Sequence, residues 1–279
     1  MPPPLTYKPR FPRWKSSTLI QAALASRDED RRWRYVVELH WRGDRATLDA
    51  ATALCQDPSA RKRCLGADIL AQLGVPDRTF PGEALTTLLE MSRRETSTLV
   101  LQSILMALGH NLDATARAPW AFYKRVFPHK SATVRFALAY ALMGREDPAS
   151  IRMLIRLSQD LAARVRDWAT FCLGTQTDVD TPVLRRALLQ RVADRHSETR
   201  GEALVGLARR NDARILPVLE PSLARSPSWL ELEAAARLGD PRLLPRLLKL
   251  RARVQNDANT NRLWLSQLES AIQDLSRLA

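Results

Sequence analysis

Val165-Arg166-Asp167-Trp168-Ala169-Thr170-Phe171-Cys172-Leu173-Gly174 is the clearest copy of a pattern that recurs along most of this chain. With Arg166 as reference and Leu173, seven residues on, as anchor, the anchor reappears at Leu39, Leu70, Leu108, Leu142, Leu173, Leu207 and Leu238. The steps between anchors are 31, 38, 34, 31, 34 and 31 residues. Seven residues before each anchor stand Arg32, Arg63, Leu101, Arg135, Arg166, Arg200 and Glu231. Four before stand Tyr35, Gly66, Ile104, Leu138, Ala169, Ala203 and Ala234, mostly small or apolar. Apolar residues at this spacing share one helix face. Self-similarity at such a period marks a stack of helical hairpins, because one hairpin alone cannot bury its apolar faces.

Polar residues punctuate each unit. Asp57, Asp160 and Asp194 lie six residues before their reference arginines, and we expect each to cap the start of its helix, with Pro58 in a first turn. Gly74, Gly109, Gly144, Gly174 and Gly239 follow their anchors, where a left-handed helix end favours glycine. Asp147-Pro148 and Asp240-Pro241 read as starts of the partner helices. One unit is therefore helix, turn, helix.

These residues resemble the HEAT-repeat superfamily, in the short bacterial form similar to the HEAT-like repeats of phycobilin lyases. Val134-Arg135, Val165-Arg166, the helices ending in Leu-Gly, and Gly239-Asp240-Pro241 carry the resemblance, over roughly residues 28–255. It implies an all-α fold, an α-solenoid (superhelix) of about seven HEAT-like hairpins with a C-terminal capping helix. It also implies that reference arginines pair with aspartates such as Asp160 and Asp194 at repeat junctions. A bilin lyase activity is not implied, since the likeness is at the level of the repeat, and fold alone does not give function.

Composition bounds the rest. The net charge is +13, with 43 basic against 30 acidic residues, which favours an acidic or polyanionic partner. No apolar run is long enough for a membrane span. The N-terminus is basic but has no apolar core behind it, so it does not read as a secretory signal. Cys55, Cys64 and Cys172 are an odd number without a Cys-x-x-Cys, which suits a reducing, cytoplasmic compartment in a bacterium. Cys172 falls in the small apolar stripe and is expected to be buried.

The organisation we expect is a proline-rich basic arm (1–16), the solenoid (17–255) and a capping segment (256–279). In the arm, Tyr7, Phe11 and Trp14 alternate with Lys8, Arg10, Arg13 and Lys15, and the aromatics are expected to cover the end of the first repeat. Leu101 in place of arginine makes the third unit the most degenerate. Pro217 and Pro221 are expected to bend the partner helix of the sixth. A polar break, Gln255–Asn261, precedes an amphipathic run from Trp264 to Leu278.

From Ala114 to Arg145 there is no acidic residue, while Arg117, Lys124, Arg125, Lys130 and Arg135 lie among Trp120, Phe122, Tyr123 and Phe127. Bases mixed with aromatics suit phosphate pairing and base stacking. Trp120, Tyr123 and Phe127 are also spaced as a core stripe, so Lys124, Arg125 and Lys130 alone count toward a basic patch. Asp167-Trp168 invites comparison with HEAT-like alkylpurine DNA glycosylases, but that family's wider pattern is missing. His40, His110, His129 and His196 lack a paired-ligand spacing, and no nucleophile or phosphate-loop motif occurs.

The sequence thus leads us to expect a non-enzymatic, monomeric scaffold without cofactor or metal, binding another protein, an acidic one by charge, through the solenoid's concave surface. The candidate contact residues are Lys124, Arg125, Lys130, Arg166, Asp167 and Arg200. The alternative is a DNA- or RNA-binding protein using the basic surface, with alkylpurine excision as its sharpest form.

Overall fold

The computed structural model describes residues 8–113, 115–255 and 260–277. Residues 1–7 of the arm (Tyr7 included), Ala114, 256–259 of the polar break, and Leu278 and Ala279 lie outside them. The protein is an all-α solenoid, with no strand among the described residues. It divides after Leu142 into two compact units.

The first unit holds α1 (Ser16–Ala25), α2 (Glu29–Arg42), α3 (Arg45–Cys55), α4 (Ala60–Ala71), α5 (Pro81–Arg94), α6 (Thr98–Asn111), α7 (Trp120–Val126) and α8 (Ala132–Ala141). Here α2, α4, α6 and α8 pack side by side, while α1, α3 and α5 form a second row behind them. The second unit holds α9 (Pro148–Leu157), α10 (Ala163–Thr175), α11 (Pro182–Arg191), α12 (Ser197–Ala208), α13 (Leu216–Leu223), α14 (Trp229–Leu238), α15 (Leu244–Val254) and α16 (Arg262–Ser276). Short 3-10 turns, Ala213–Ile215 and Pro241–Leu243, lead into α13 and α15. Here α10, α12, α14 and α16 are the row, and α16 packs on α14 with Leu268, Ile272 and Leu275 buried.

The repeat is the core. Leu39, Leu70, Leu108, Leu142, Leu173 and Leu207 are fully buried, each worth about 1.5–3 kcal/mol in apolar transfer. Only the terminal anchor, Leu238, is half-exposed. The arm's described part lies on the first repeat: Phe11 and Trp14 rest on Tyr35, with ring centroids 5.2 and 6.0 Å away. Arg42 donates to the Phe11 carbonyl, and the Arg10 amide to the buried Glu38 carboxylate.

Two local expectations are corrected. Asp57, Asp160 and Asp194 are not N-caps; those positions are Ser59, Ala162 and His196. Each aspartate instead accepts from the amide two residues on, closing a turn ahead of the helix, and Pro58 lies outside α4. Asp147 and Asp240 do cap, with proline next. Gly74, Gly144 and Gly239 take the left-handed conformation, but Gly109 and Gly174 are inside α6 and α10. Gly174 meets Gly206 of α12 so closely that a Cβ on Gly206 would lie 2.5 Å from the Gly174 Cα. The constraint there is helix approach, not dihedral angle.

Reference arginines staple the stack. Arg63 donates to the carbonyls of Asp57 and Pro58, and bidentately to Glu95 of the next repeat. Arg166 repeats this on the carbonyls of Asp160 and Leu161 and on the Asp194 carboxylate, at 2.9 Å through both Nε and Nη2. Fork-to-carboxylate bonds fix direction as well as distance. Where Leu101 replaces the arginine, Arg125 supplies the missing donor from α7, bonding the carbonyls of Ser92 and Glu95.

A second series, ten residues after the reference, was not read in the sequence. Asn111 donates to the carbonyls of Leu70 and Ala71, at the end of α4. Arg210 does the same at the end of α10, to Leu173 and Gly174, and also reaches Thr177, Val179 and Gly206. The last carbonyls of a helix have no partner of their own, and these side chains provide one from the next repeat.

Candidate partner-binding site

One face of α2, α4 and α6 walls a cleft of about 620 Å³ within the first unit. Its residues fall at helical spacing on each element: Leu99, Gln102, Ser103, Met106 and His110 on α6, and Arg61, Cys64, Asp68 and Gln72 on α4. From α2 come Glu29, Arg32, Trp33 and His40. Asp28 caps α2 by accepting from the Arg31 amide, and Gly43 ends it in the left-handed conformation. That sets the rotation presenting Trp33.

The floor is a buried polar network. Arg32 pairs with Asp68, whose side chain also receives the Cys64 thiol at 3.6 Å. Cys64 Sγ lies 3.2 Å from Ser103 Oγ. Burial pushes the Asp68 carboxyl up against the pull of Arg32, Ser103 and Cys64. Burial also lifts the Cys64 thiol to about 12, so it is a hydrogen-bonding group here, not a nucleophile. His40 Nε2 lies 2.8 Å from the Asp68 carbonyl and must carry its proton there. Desolvation lowers His40 to about 4, keeping the ring neutral. Every element of this floor is tied to another helix, so the floor is rigid.

The rim is different. Trp33 is 39% and Leu99 51% exposed, Met106 and Gln102 are half-buried, and Arg27 is exposed. Large apolar side chains left exposed beside polar ones mark a surface that can take a partner.

The residues singled out from sequence fall in both units. Lys124 and Arg125 are on α7 and Lys130 in the turn before α8; all three are exposed, and Arg125 is bonded as described. In the second unit Asp194 joins Arg166 and Arg200, taking one on its carboxylate and the other on its carbonyl. Arg166 on Asp194 holds that carboxyl near 2. Asp167 on α10 is half-buried, with Oδ1 unpartnered among the described residues, and burial raises it. Glu202 on α12 is lifted to about 7 by burial first, then by Asp167 and Glu233. Asp167 sits one residue after its reference arginine, the position of Trp33, Cys64 and Gln102 in the cleft. That shared position was the signal available for finding the cleft. It was masked because the three residues have nothing chemical in common.

Stacked helical hairpins, stapled by arginines and presenting a walled cleft on one helix row, define a HEAT-like repeat protein. No protein-family model matches the sequence. Over 212 residues, 74% of this chain and 75% of the relative, it is 30% identical to Protein YibA of Escherichia coli (strain K12), with the same figures for the O157:H7 protein. The chain belongs to the YibA family. The X-ray structure of E. coli YibA is similar at a TM-score of 0.70 with 26% identity, over 95% of this chain and 93% of that one. The CpcE–CpcF complex of phycocyanin lyase from Nostoc is similar at 0.47 and 16%, over 97% and 98%. No helix among the described residues is long and apolar enough to cross a membrane.

Proposed function

We propose that this chain is a non-enzymatic binding scaffold that takes a segment of a partner protein in the α2–α4–α6 cleft. The observation that carries the reading is the contrast between floor and rim. Arg32, Asp68, Cys64, Ser103 and His40 are committed to one another, whereas Trp33 and Leu99 stand partly exposed at the mouth with the half-buried Met106. A rigid floor lowers the ordering cost of binding, and aromatic and apolar anchors supply most of the affinity at such sites. The net charge of +13 favours an acidic partner and speeds encounter in the bacterial cytoplasm, the compartment the reduced cysteines suit.

The test compares partners recovered by the parent protein with those recovered by Trp33→Asp and Leu99→Asp, whose exposed positions leave the core untouched. Lys124→Glu and Lys130→Glu serve as charge controls. A protein bound by the parent and the controls, and lost from both cleft variants, is the expected result. Saturable partners retained equally by all four variants would remove the cleft from the function. The charge also favours a second reading, a nucleic-acid partner, for which the acid-free stretch is the place.

A further inference from the structure

A second cleft in the first unit, about 550 Å³, opens between α5 and α7. Arg93, Arg117 and Arg125 line it together with Trp120 and Phe122, and no acidic residue is among its lining. The three arginines are not equivalent. Arg125 is spent on the carbonyls of Ser92 and Glu95, with its guanidinium 5.4 Å from the centre of the Phe122 ring. Arg93 and Arg117 are exposed, and their side chains make no hydrogen bond or ion pair among the described residues. Both of these guanidiniums are therefore available to a ligand in the cleft, beside an aromatic ring. Trp120 packs edge-on against the buried Tyr123, at 5.8 Å, and is itself only half-buried. Lys124, one helical turn after Trp120 on α7, is exposed on the same side.

We infer that this cleft binds single-stranded nucleic acid, with Arg93 and Arg117 on backbone phosphates, Trp120 stacked on a base, and Lys124 on a neighbouring phosphate. The inference rests on and deepens the second, nucleic-acid reading, and it uses a surface other than the protein-binding cleft. Planar guanidiniums suit phosphate oxygens, and a ring beside them distinguishes a nucleotide strand from a merely acidic peptide. Sequence-tolerant binding follows, because every base offers a face to stack.

The experiment is fluorescence anisotropy of the full chain with labelled oligo-dT of about 12 nucleotides, at 50 and 200 mM salt. Three phosphate contacts weaken binding roughly 20-fold between those salts. Arg93→Gln with Arg117→Gln is expected to flatten that dependence to roughly threefold, one contact remaining. Trp120→Ala is expected to cost roughly tenfold, with Trp120→Phe restoring most of it. Melting temperatures of the arginine variants should match the parent, since those side chains hold nothing. No binding at 50 mM salt overturns the proposal, as does binding indifferent to the arginine pair. If poly-glutamate competes as well as the oligonucleotide and Trp120→Ala changes neither, the ligand is an acidic peptide and the nucleic-acid assignment falls. Loss of oligo-dT binding in Trp33→Asp instead would move the site to the other cleft. Neither result bears on whether a protein is lost from the cleft variants above.

Discussion

Arg210 offers the sharpest test of how the repeats are held together. It is 8% exposed, and its guanidinium reaches the carbonyls of Leu173, Gly174, Gly206, Thr177 and Val179 at 2.8–3.1 Å. Arg210→Met keeps the aliphatic stem and removes every donor. The carbonyls of Leu173 and Gly174, at the closed end of α10, are the costly ones. Each buried acceptor left unmet costs about 1–3 kcal/mol. Water can reach the loop carbonyl of the half-buried Val179, and losing a desolvated guanidinium gives something back, so the net loss is roughly 3–4 kcal/mol. Arg210→Lys should fall between, because one ammonium cannot span a fork of five acceptors. The control lies next door. Arg209 bonds the Thr175 carbonyl and the exposed Asp178, and Arg209→Met should cost less than about 1 kcal/mol. The assay is urea unfolding followed by far-UV circular dichroism, where a slope of about 1–3 kcal/mol per molar places the Arg210→Met midpoint at least about 1 M lower. Equal midpoints for the two methionine variants would refute the reasoning: the helix-end carbonyls would then be served by water.

Three further outcomes follow from the second unit. Gly206→Ala puts a Cβ 2.5 Å from the Gly174 Cα, so α10 and α12 must separate, at a cost of roughly 1–3 kcal/mol in the same urea assay. Asp194 is held near 2, below its ordinary value, so its ion pair contributes stability above about pH 4 that is lost as pH falls toward 2; Asp194→Asn should flatten the melting temperature across that window. Glu202 has the opposite sign. Raised to about 7, it favours the folded state while protonated and loses that contribution as pH rises through 7. Glu202→Gln should therefore gain on the parent between pH 5 and pH 8, and an unchanged difference between the two proteins would refute the burial argument.

The α-solenoid and the HEAT-like repeat were legible because burial has a period. Leu39, Leu70, Leu108, Leu142, Leu173 and Leu207 must each face the neighbouring hairpin, and that requirement writes itself into the chain at steps of 31 to 38 residues. The partnership of reference arginines with acids was legible in part: Arg166 reaches the Asp194 carboxylate, whereas Arg200 bonds the Asp194 carbonyl instead. What the cleft is made of was not. Trp33, Cys64 and Gln102 occupy one position of the repeat, but they range from exposed to buried and share no chemistry, so no pattern marks it. The helix caps were misplaced because an aspartate two residues ahead of a cap looks the same in sequence as the cap itself. Gly174 was misread because a glycine needed for close approach cannot be told, along the chain, from one needed for a turn.

By itself, then, the sequence determined the helices and the apolar face each must bury, because these depend on residues within a few turns of one another, and it determined the repeat because that local pattern recurs along the chain. Only the tertiary structure decided which guanidiniums are spent and which are idle. Arg125, Arg210, Arg93 and Arg117 are the same residue type with the same charge. The first two meet carbonyls from a neighbouring repeat and the last two meet none, and that difference is set by the packing of one hairpin on the next.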